Sequence, residues 1–312
     1  MSEPRVLFVN SDRIGDCVMF SGVVREALRQ VPGARITVAC GPSAAPLFRA
    51  APSLEAVIPL PKKKGGGHWL DLYRATSGRR WDLIADIRGS PIAWLLRAKE
   101  KRVYSRRWET GLPKVEMAFR LMKADHVCLP ELFLDDRARA DAARVIGEEP
   151  APILAFAPIS TDPLRSWPAD RWGELIDRLR AEPRFRGWRF MAVGGPGDHA
   201  AAAPALAAAG PQGLDAVGKG DILASAAMIG RATLFVGNDS GLMHVSAAAG
   251  RPTLGLFGPS EWWHKAPYGP TGRVLASSPV RGEFRPIEDL TVERVLEGVL
   301  ELHDAFAGPA AP

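Results

Sequence analysis

Residues 233–260, TLFVGNDSGLMHVSAAAGRPTLGLFGPS, constrain this chain more tightly than any other stretch. TLFVG is an apolar run of strand length, Asn238-Asp239-Ser240-Gly241 is a polar turn, and LMHVSAAAG is a short helix ended by Gly250. Arg251-Pro252 breaks the chain before a second apolar run, TLGLFG. Strand, turn, helix and strand make a βαβ unit. Its turn opens a helix N-terminus, whose unpaired backbone N–H groups and positive dipole end suit a phosphate. Asp239 or Ser240 could equally do no more than cap that helix. His244 falls four residues after Ser240 on the same helical face, where a satisfied core histidine is the plainer reading.

The same alternation runs along the rest of the chain. RVLFVN (5–10), ARITVACG, LEAVIPL, WDLIADIRG and KRVYS read as strands. CVMFSGVVREALRQV, SAAPLFRAAP and SPIAWLLRAKE read as the helices between them. After a charged helix, DDRARADAARVIG, and the sequence Glu-Glu-Pro-Ala-Pro, the pattern restarts with ILAFAPI. The strands WRFMAVGG and LDAVG follow, with ADRWGELIDRLRAE, HAAAAPALAAAG and DILASAAMIGR as helices. This predicts an α/β fold of parallel sheets flanked by helices, in two halves, 1–148 and 149–312. TVERVLEGVLELHDAF is a final amphipathic helix that could pack back on the first half, and 308–312 reads as a frayed tail.

Two segments break the alternation. Pro61-Lys62-Lys63-Lys64-Gly65-Gly66-Gly67-His68 has no helix or strand pattern and reads as a solvated basic loop. Residues 105–126 lead from a basic cluster, Arg106 and Arg107, into an amphipathic helix at 115–123.

Composition narrows the classes. A chain of 312 residues with 46% hydrophobic content suits two domains of about 150 residues or one large α/β domain. No apolar stretch approaches the ~20 residues of a membrane span, and MSEPRVLFVN does not read as a signal peptide. Cys17, Cys40 and Cys128 are odd in number and lack metal-ligand spacing, which fits a reduced, cytoplasmic setting. The net charge of +5 suits an anionic partner, but no nucleic-acid motif accompanies it, so no nucleic acid is expected.

The segment DSGLMHVSAAAGRPTLGLFG, residues 239–258, resembles the C-terminal signature of glycosyltransferase family 9, the heptosyltransferases of lipopolysaccharide assembly. The resemblance implies a GT-B type fold, two Rossmann-like parallel-sheet domains facing across a cleft. The C-terminal domain would hold the sugar nucleotide and the N-terminal domain the acceptor.

Residue by residue, the resemblance assigns chemistry that the residues alone leave open. Asp16, in Arg13-Ile14-Gly15-Asp16, is by position a first-turn acid; the family's pattern makes it the catalytic base, with Asp12 as its competitor. In APISTDPLRSWPADRW, Ser160 and Thr161 can donate hydroxyl hydrogen bonds and Arg165 carries a permanent charge. The family places these beside the donor diphosphate, together with Ser240 and Gly241, and often has Lys where this chain has Arg165. Asp198, in the turn Gly194-Gly195-Pro196-Gly197-Asp198-His199, matches the acid that bonds the nucleotide ribose, and Gly218 to Asp221 would flank the base. Asp239 and His244 would lie near the sugar or the phosphates.

Lys62, Lys63 and Lys64 could then steer and clamp an anionic lipid-linked acceptor. The implied reaction is an inverting displacement, with heptose passing from ADP-heptose to a lipopolysaccharide-core acceptor. No metal and no cofactor is implied. The expected setting is the cytoplasm, with peripheral contact at the inner face of the inner membrane. A family member using another nucleotide sugar, an isomerase and a non-catalytic nucleotide-sugar-binding homologue are the alternatives.

Overall fold

The computed structural model describes residues 3–105 and 111–307. The Arg106–Arg107 cluster and the 308–312 tail lie outside the described residues. The chain divides into two compact units, Met1–Asp135 and Asp136–Pro312.

The first unit carries a sheet of five parallel strands: β1 (Arg5–Val9), β2 (Arg35–Cys40), β3 (Leu54–Pro59), β4 (Trp81–Asp86) and β5 (Ala98–Val103). Their order is β3-β2-β1-β4-β5. Val6, Leu7, Phe8 and Val9 are all fully buried, as a central strand covered on both faces requires. Its helices are α1 (Ile14–Met19), α2 (Val23–Gln30), α3 (Gly67–Thr76), α4 (Ile92–Leu95) and α5 (Lys114–Met122).

Three local expectations are corrected in this unit. The single helix expected after β1 is two, joined by a 3-10-type turn in which the Ser21 N–H and hydroxyl both donate to the Val18 carbonyl, and the backbone of Cys128 and Leu129 passes directly over Gly22. A Cβ there would lie 2.3 Å from the Leu129 carbonyl oxygen. The lysine loop is a 3-10 turn, Lys64–Gly66, running into α3, with Gly65 and Gly66 at φ of 65° and 76°. Only glycine takes such angles without strain. The helix expected from Ser90 onward is the one turn α4, because Ala98 already pairs with Trp81 in the sheet.

The second unit opens with α6 (Asp136–Ile146), which packs on α9 (Ile222–Ile229). The unit boundary therefore precedes α6. Six parallel strands follow: β6 (Ile153–Ala157), β7 (Arg189–Ala192), β8 (Gly213–Asp215), β9 (Leu234–Asn238), β10 (Thr253–Phe257) and β11 (Gly272–Ala276). Their order is β11-β10-β9-β6-β7-β8. The remaining helices are α7 (Ala169–Ala181), α8 (His199–Ala209), α10 (Gly241–Ala248), α11 (Trp262–Lys265) and α12 (Val292–Phe306). Val295, Val299 and Leu302 of α12 join Phe156, Trp167, Trp172 and Phe190 in one buried core. The last helix thus packs on the second unit's own sheet. Neither α11 nor β11 is legible in the sequence: α11 is a single turn, and β11, GRVLA, opens on Gly and Arg in place of an unbroken apolar run.

Strand order reverses once in each sheet, between β1 and β4 and between β6 and β9. At such a point the loops beyond the carboxyl ends diverge and leave a crevice. Those loops position the candidate site.

Candidate active site

In the second unit, the loops after β6 and β9 are tied to each other. Ser160 Oγ donates to the Asp239 carbonyl at 2.9 Å, and the Ser160 N–H donates to Ser166 Oγ at 3.0 Å. Asn238 Oδ1 accepts the Trp167 N–H at 3.2 Å. Ser160 therefore spends its hydroxyl proton inside the protein, as a strut, which leaves that oxygen able only to accept from a ligand. Thr161 is exposed on the same loop.

Arg165 ends a 3-10 turn, Pro163–Arg165, that is capped by Asp162. Its Nη1 lies 3.0 Å from Asp239 Oδ2 and its Nε 3.1 Å from Asp162 Oδ2. Burial works against the guanidinium charge, but Asp239 and Asp162 outweigh it and hold the pKa above its ordinary value. Asp239 has a second cation, because Lys265 Nζ of α11 stands 3.8 Å from the same oxygen. With its side chain only 4% exposed, Asp239 is the buried anchor of two cations.

Beside this cluster α10 begins. Ser240 is its N-cap residue, in extended conformation, yet no side chain caps the helix. Ser240 Oγ is buried and bonded to nothing among the described residues. The same holds for Asn238 Nδ2, Ser260 Oγ and Trp262 Nε1. All four groups sit at the carboxyl ends of the paired strands β9 and β10 or in the residues just after them. A buried polar group left without a partner costs ~1–3 kcal/mol. The unpaired Ser240 hydroxyl, with the uncapped α10 N–H groups that follow it and the two cations on the adjacent Asp239, forms a lining ready for a polar, anionic ligand. Gly241 opens the helix, and His244 is buried one turn further along.

Asp198 lies apart from this cluster, after β7. Its Oδ2 accepts the Gly195 N–H at 2.7 Å and its own N–H donates to the Gly195 carbonyl. The carboxylate thus braces its glycine turn. Gly218 N–H reaches the Gly194 carbonyl at 3.0 Å, so the two glycine turns abut.

In the first unit, Asp16 occupies the first turn of α1. Ser11 Oγ donates to its Oδ2 at 3.2 Å and Lys114 Nζ stands 3.0 Å from its Oδ1. Asp12 pairs with Lys62 Nζ at 2.6 Å and with Arg88 Nη1 at 3.8 Å. Burial raises the Asp12 pKa, but the hydrogen bond from Lys62, a backbone N–H and the Arg88 charge together bring it below its ordinary value. A carboxyl held in its ionised form by such partners is a weaker proton acceptor. Lys63 pairs with Asp71 at 2.6 Å, while Lys64 is exposed at the start of its 3-10 turn. Lys62 and Lys63 are therefore held by different carboxylates and Lys64 enters no ion pair among the described residues, so the three are not gathered as one clamp.

Sequence reasoning missed Lys114, Ser260, Trp262 and Lys265. Lys114 is 98 residues from Asp16, and only the sheet's folding brings residues 259–265 beside α10.

The sequence model of glycosyltransferase family 9 (heptosyltransferase) matches residues 95–282. The chain is 24% identical to lipopolysaccharide heptosyltransferase 2 of Salmonella typhimurium, covering 97% of this chain and 99% of that protein. It is 27% identical to lipopolysaccharide heptosyltransferase 1 of Pseudomonas aeruginosa, over 85% of this chain and 81% of that protein. Among solved structures, Escherichia coli ADP-heptose lps heptosyltransferase II superposes with a TM-score of 0.77 at 22% identity, covering 97% of this chain and 100% of that one. That likeness shows the fold: two parallel-sheet α/β units of GT-B type.

Proposed function

We propose that this glycosyltransferase, a chain that belongs to glycosyltransferase family 9, moves heptose from ADP-heptose to a lipopolysaccharide-core acceptor, with inversion and without a metal ion. The names of the relatives, lipopolysaccharide heptosyltransferases 1 and 2, support the transferred sugar and the acceptor class. The observation that carries the donor site is the uncapped N-terminus of α10 with its unspent buried Ser240 hydroxyl beside Arg165.

In this reading the α10 N–H groups, Ser240 Oγ and Arg165 hold the diphosphate. Thr161 and Gly241 stand at its edge, and Ser160 keeps the two loops in register. Asp239 orients Arg165 and Lys265, and His244 backs the helix turn. Asp198 and the paired glycine turns serve the nucleoside. Asp16 accepts the proton of the acceptor hydroxyl as that oxygen bonds to the anomeric carbon. The bond from that carbon to the diphosphate oxygen breaks on the opposite face, and the electron pair leaves with ADP. Charge growing on the leaving phosphates meets a preorganised helix end and two cations, which is where electrostatic stabilisation is largest. Lys62, through its ion pair with Asp12, and Lys64 face the anionic acceptor. Contact of the enzyme with the inner face of the inner membrane belongs to the same reading.

The test is thermal unfolding with ADP, UDP, GDP and CMP at matched concentrations. A ligand at 100 times its Kd adds about 2.7 kcal/mol to stability. A shift with ADP alone is expected. A shift with UDP or GDP instead would discard heptose while keeping the reaction class, and no shift with any nucleotide would sink the donor site. Turnover that survives chelation is expected of the metal-free mechanism.

A further inference from the structure

The first unit shows a surface that donor and acceptor chemistry leave unexplained. Strand steps from β3 to β4 and from β4 to β5 run the same way across the sheet, so right-handed crossovers place α3 and α4 on one face. The two helices touch, and Leu72, Ile92, Ala93 and Leu96 bury their inner sides in one core. Their outer sides are apolar as well. Trp94 and Leu95 are 65% and 64% exposed, Leu70 49% and Tyr73 37%. Large aromatic and aliphatic side chains gathered on one outer face mark an interaction surface.

Charge says what covers it. Residues 61–101 hold ten Lys and Arg against four Asp and Glu, a net of +6 where the whole chain carries +5. Lys62 and Arg88 pair with Asp12, Arg79 with Glu55, Lys63 with Asp71 and Lys99 with Asp82, so the charge this face keeps is that of the cations outside those pairs. Lys64, Arg74 and Arg97 are exposed and enter no ion pair among the described residues. Lys101 Nζ donates to the Trp94 carbonyl at 3.0 Å, which sets an ammonium against the apolar patch. Exposed Trp, Tyr and Leu beside exposed Lys and Arg is the composition of a surface that lies in a lipid headgroup layer. A second copy would bring the same positive face against itself, which like-charge repulsion opposes. No described helix is long and apolar enough to cross a membrane, so the contact is one of surface seating.

We propose that the outer face of α3 and α4 docks on an anionic lipid bilayer, with Trp94, Leu95, Leu70 and Tyr73 in the headgroup layer and Arg74, Arg97 and Lys101 on lipid phosphates. This deepens the membrane contact named above by giving it a surface, and it stands whichever sugar the enzyme moves. Electrostatic attraction to such a surface falls off within a Debye length, so salt weakens it.

The experiment is cosedimentation of the full chain with vesicles of phosphatidylethanolamine and phosphatidylglycerol, against vesicles of phosphatidylcholine alone, at low and high salt. Binding to the anionic vesicles only, weakened by salt, is expected. The double variant Trp94→Ser, Leu95→Ser should partition about tenfold more weakly or worse. Arg74→Gln with Arg97→Gln should lose about tenfold at low salt and little at high salt. Unchanged far-ultraviolet circular dichroism and melting establish that the variants are folded. No vesicle binding, equal binding to phosphatidylcholine, or variants that bind like the parent would overturn the proposal. So would light scattering in which Trp94→Ser, Leu95→Ser turns a dimer into a monomer, since the face would then belong to a second copy.

Discussion

At Ser240 a helix cap and a ligand contact predict different numbers. A side-chain cap is worth about 1 kcal/mol to the fold, and its loss to alanine shows in unfolding. Ser240 makes no side-chain cap bond, and its buried hydroxyl has no partner among the described residues. Ser240→Ala should therefore leave urea unfolding within about 0.5 kcal/mol of the parent and weaken ADP binding about tenfold. A destabilised protein with unchanged ADP affinity would return Ser240 to a purely structural role. Asp16 and Asp12 separate in the same way. Asp16→Asn should lower kcat by about a thousandfold with ADP affinity retained. Asp12→Asn removes an ion-paired carboxylate and should spare most of kcat. Equal losses in the two variants would undo the assignment of the base.

At the level of elements, the turn between α1 and α2 lies under a contact made by backbone. Gly22 lets the chain at 128–129 pass at a distance no side chain allows. Gly22→Ala should cost about 2–3 kcal/mol in chemical denaturation, since backbone cannot rotate away as a side-chain tip can. A cost below about 0.5 kcal/mol would mean that the 128–129 segment is free to shift. On β5, Arg102 binds Glu100 at 2.9 Å, Gln30 of α2 at 2.7 Å and the Met122 carbonyl that ends α5. The hydrogen bond from Arg102, opposed by burial and aided by Lys123, brings the Glu100 carboxyl down from 4.5 to about 2. A folded-state pKa below the unfolded one stabilises above the unfolded value and is lost as pH falls towards the folded value. Glu100 is 40% exposed, so solvent screening reduces its share to about 1 kcal/mol. Melting from pH 5 to pH 2 should fall less steeply in Glu100→Gln than in the parent; parallel profiles would remove this account.

For the whole molecule, two units with their own sheets imply two cooperative blocks. Differential scanning calorimetry should resolve two transitions, and ADP should raise only the one belonging to residues 136–312. A single transition that ADP moves intact would show that the units unfold as one.

The sequence by itself determined the α/β class, the strands around the strongest apolar runs and the turn that opens α10. Those signals are local: runs such as TLFVG and ILAFA, the polar turn after β9 and the small residues around it lie within a few positions of one another. The residue types of the DSG–H segment left a helix cap and an anion contact equally open, and the diphosphate role of Arg165 came from the resemblance to the family. Only the tertiary structure decided what those residues do with their hydrogen bonds. Ser160 turned out to brace Asp239, Asp198 its own turn, and Lys62 and Lys63 separate carboxylates. It alone brought Lys265 to Asp239 and Lys114 to Asp16. Hydrogen-bond and ion-pair partners are chosen by proximity in space, and parallel strands joined by crossovers set that proximity between residues far apart in the chain.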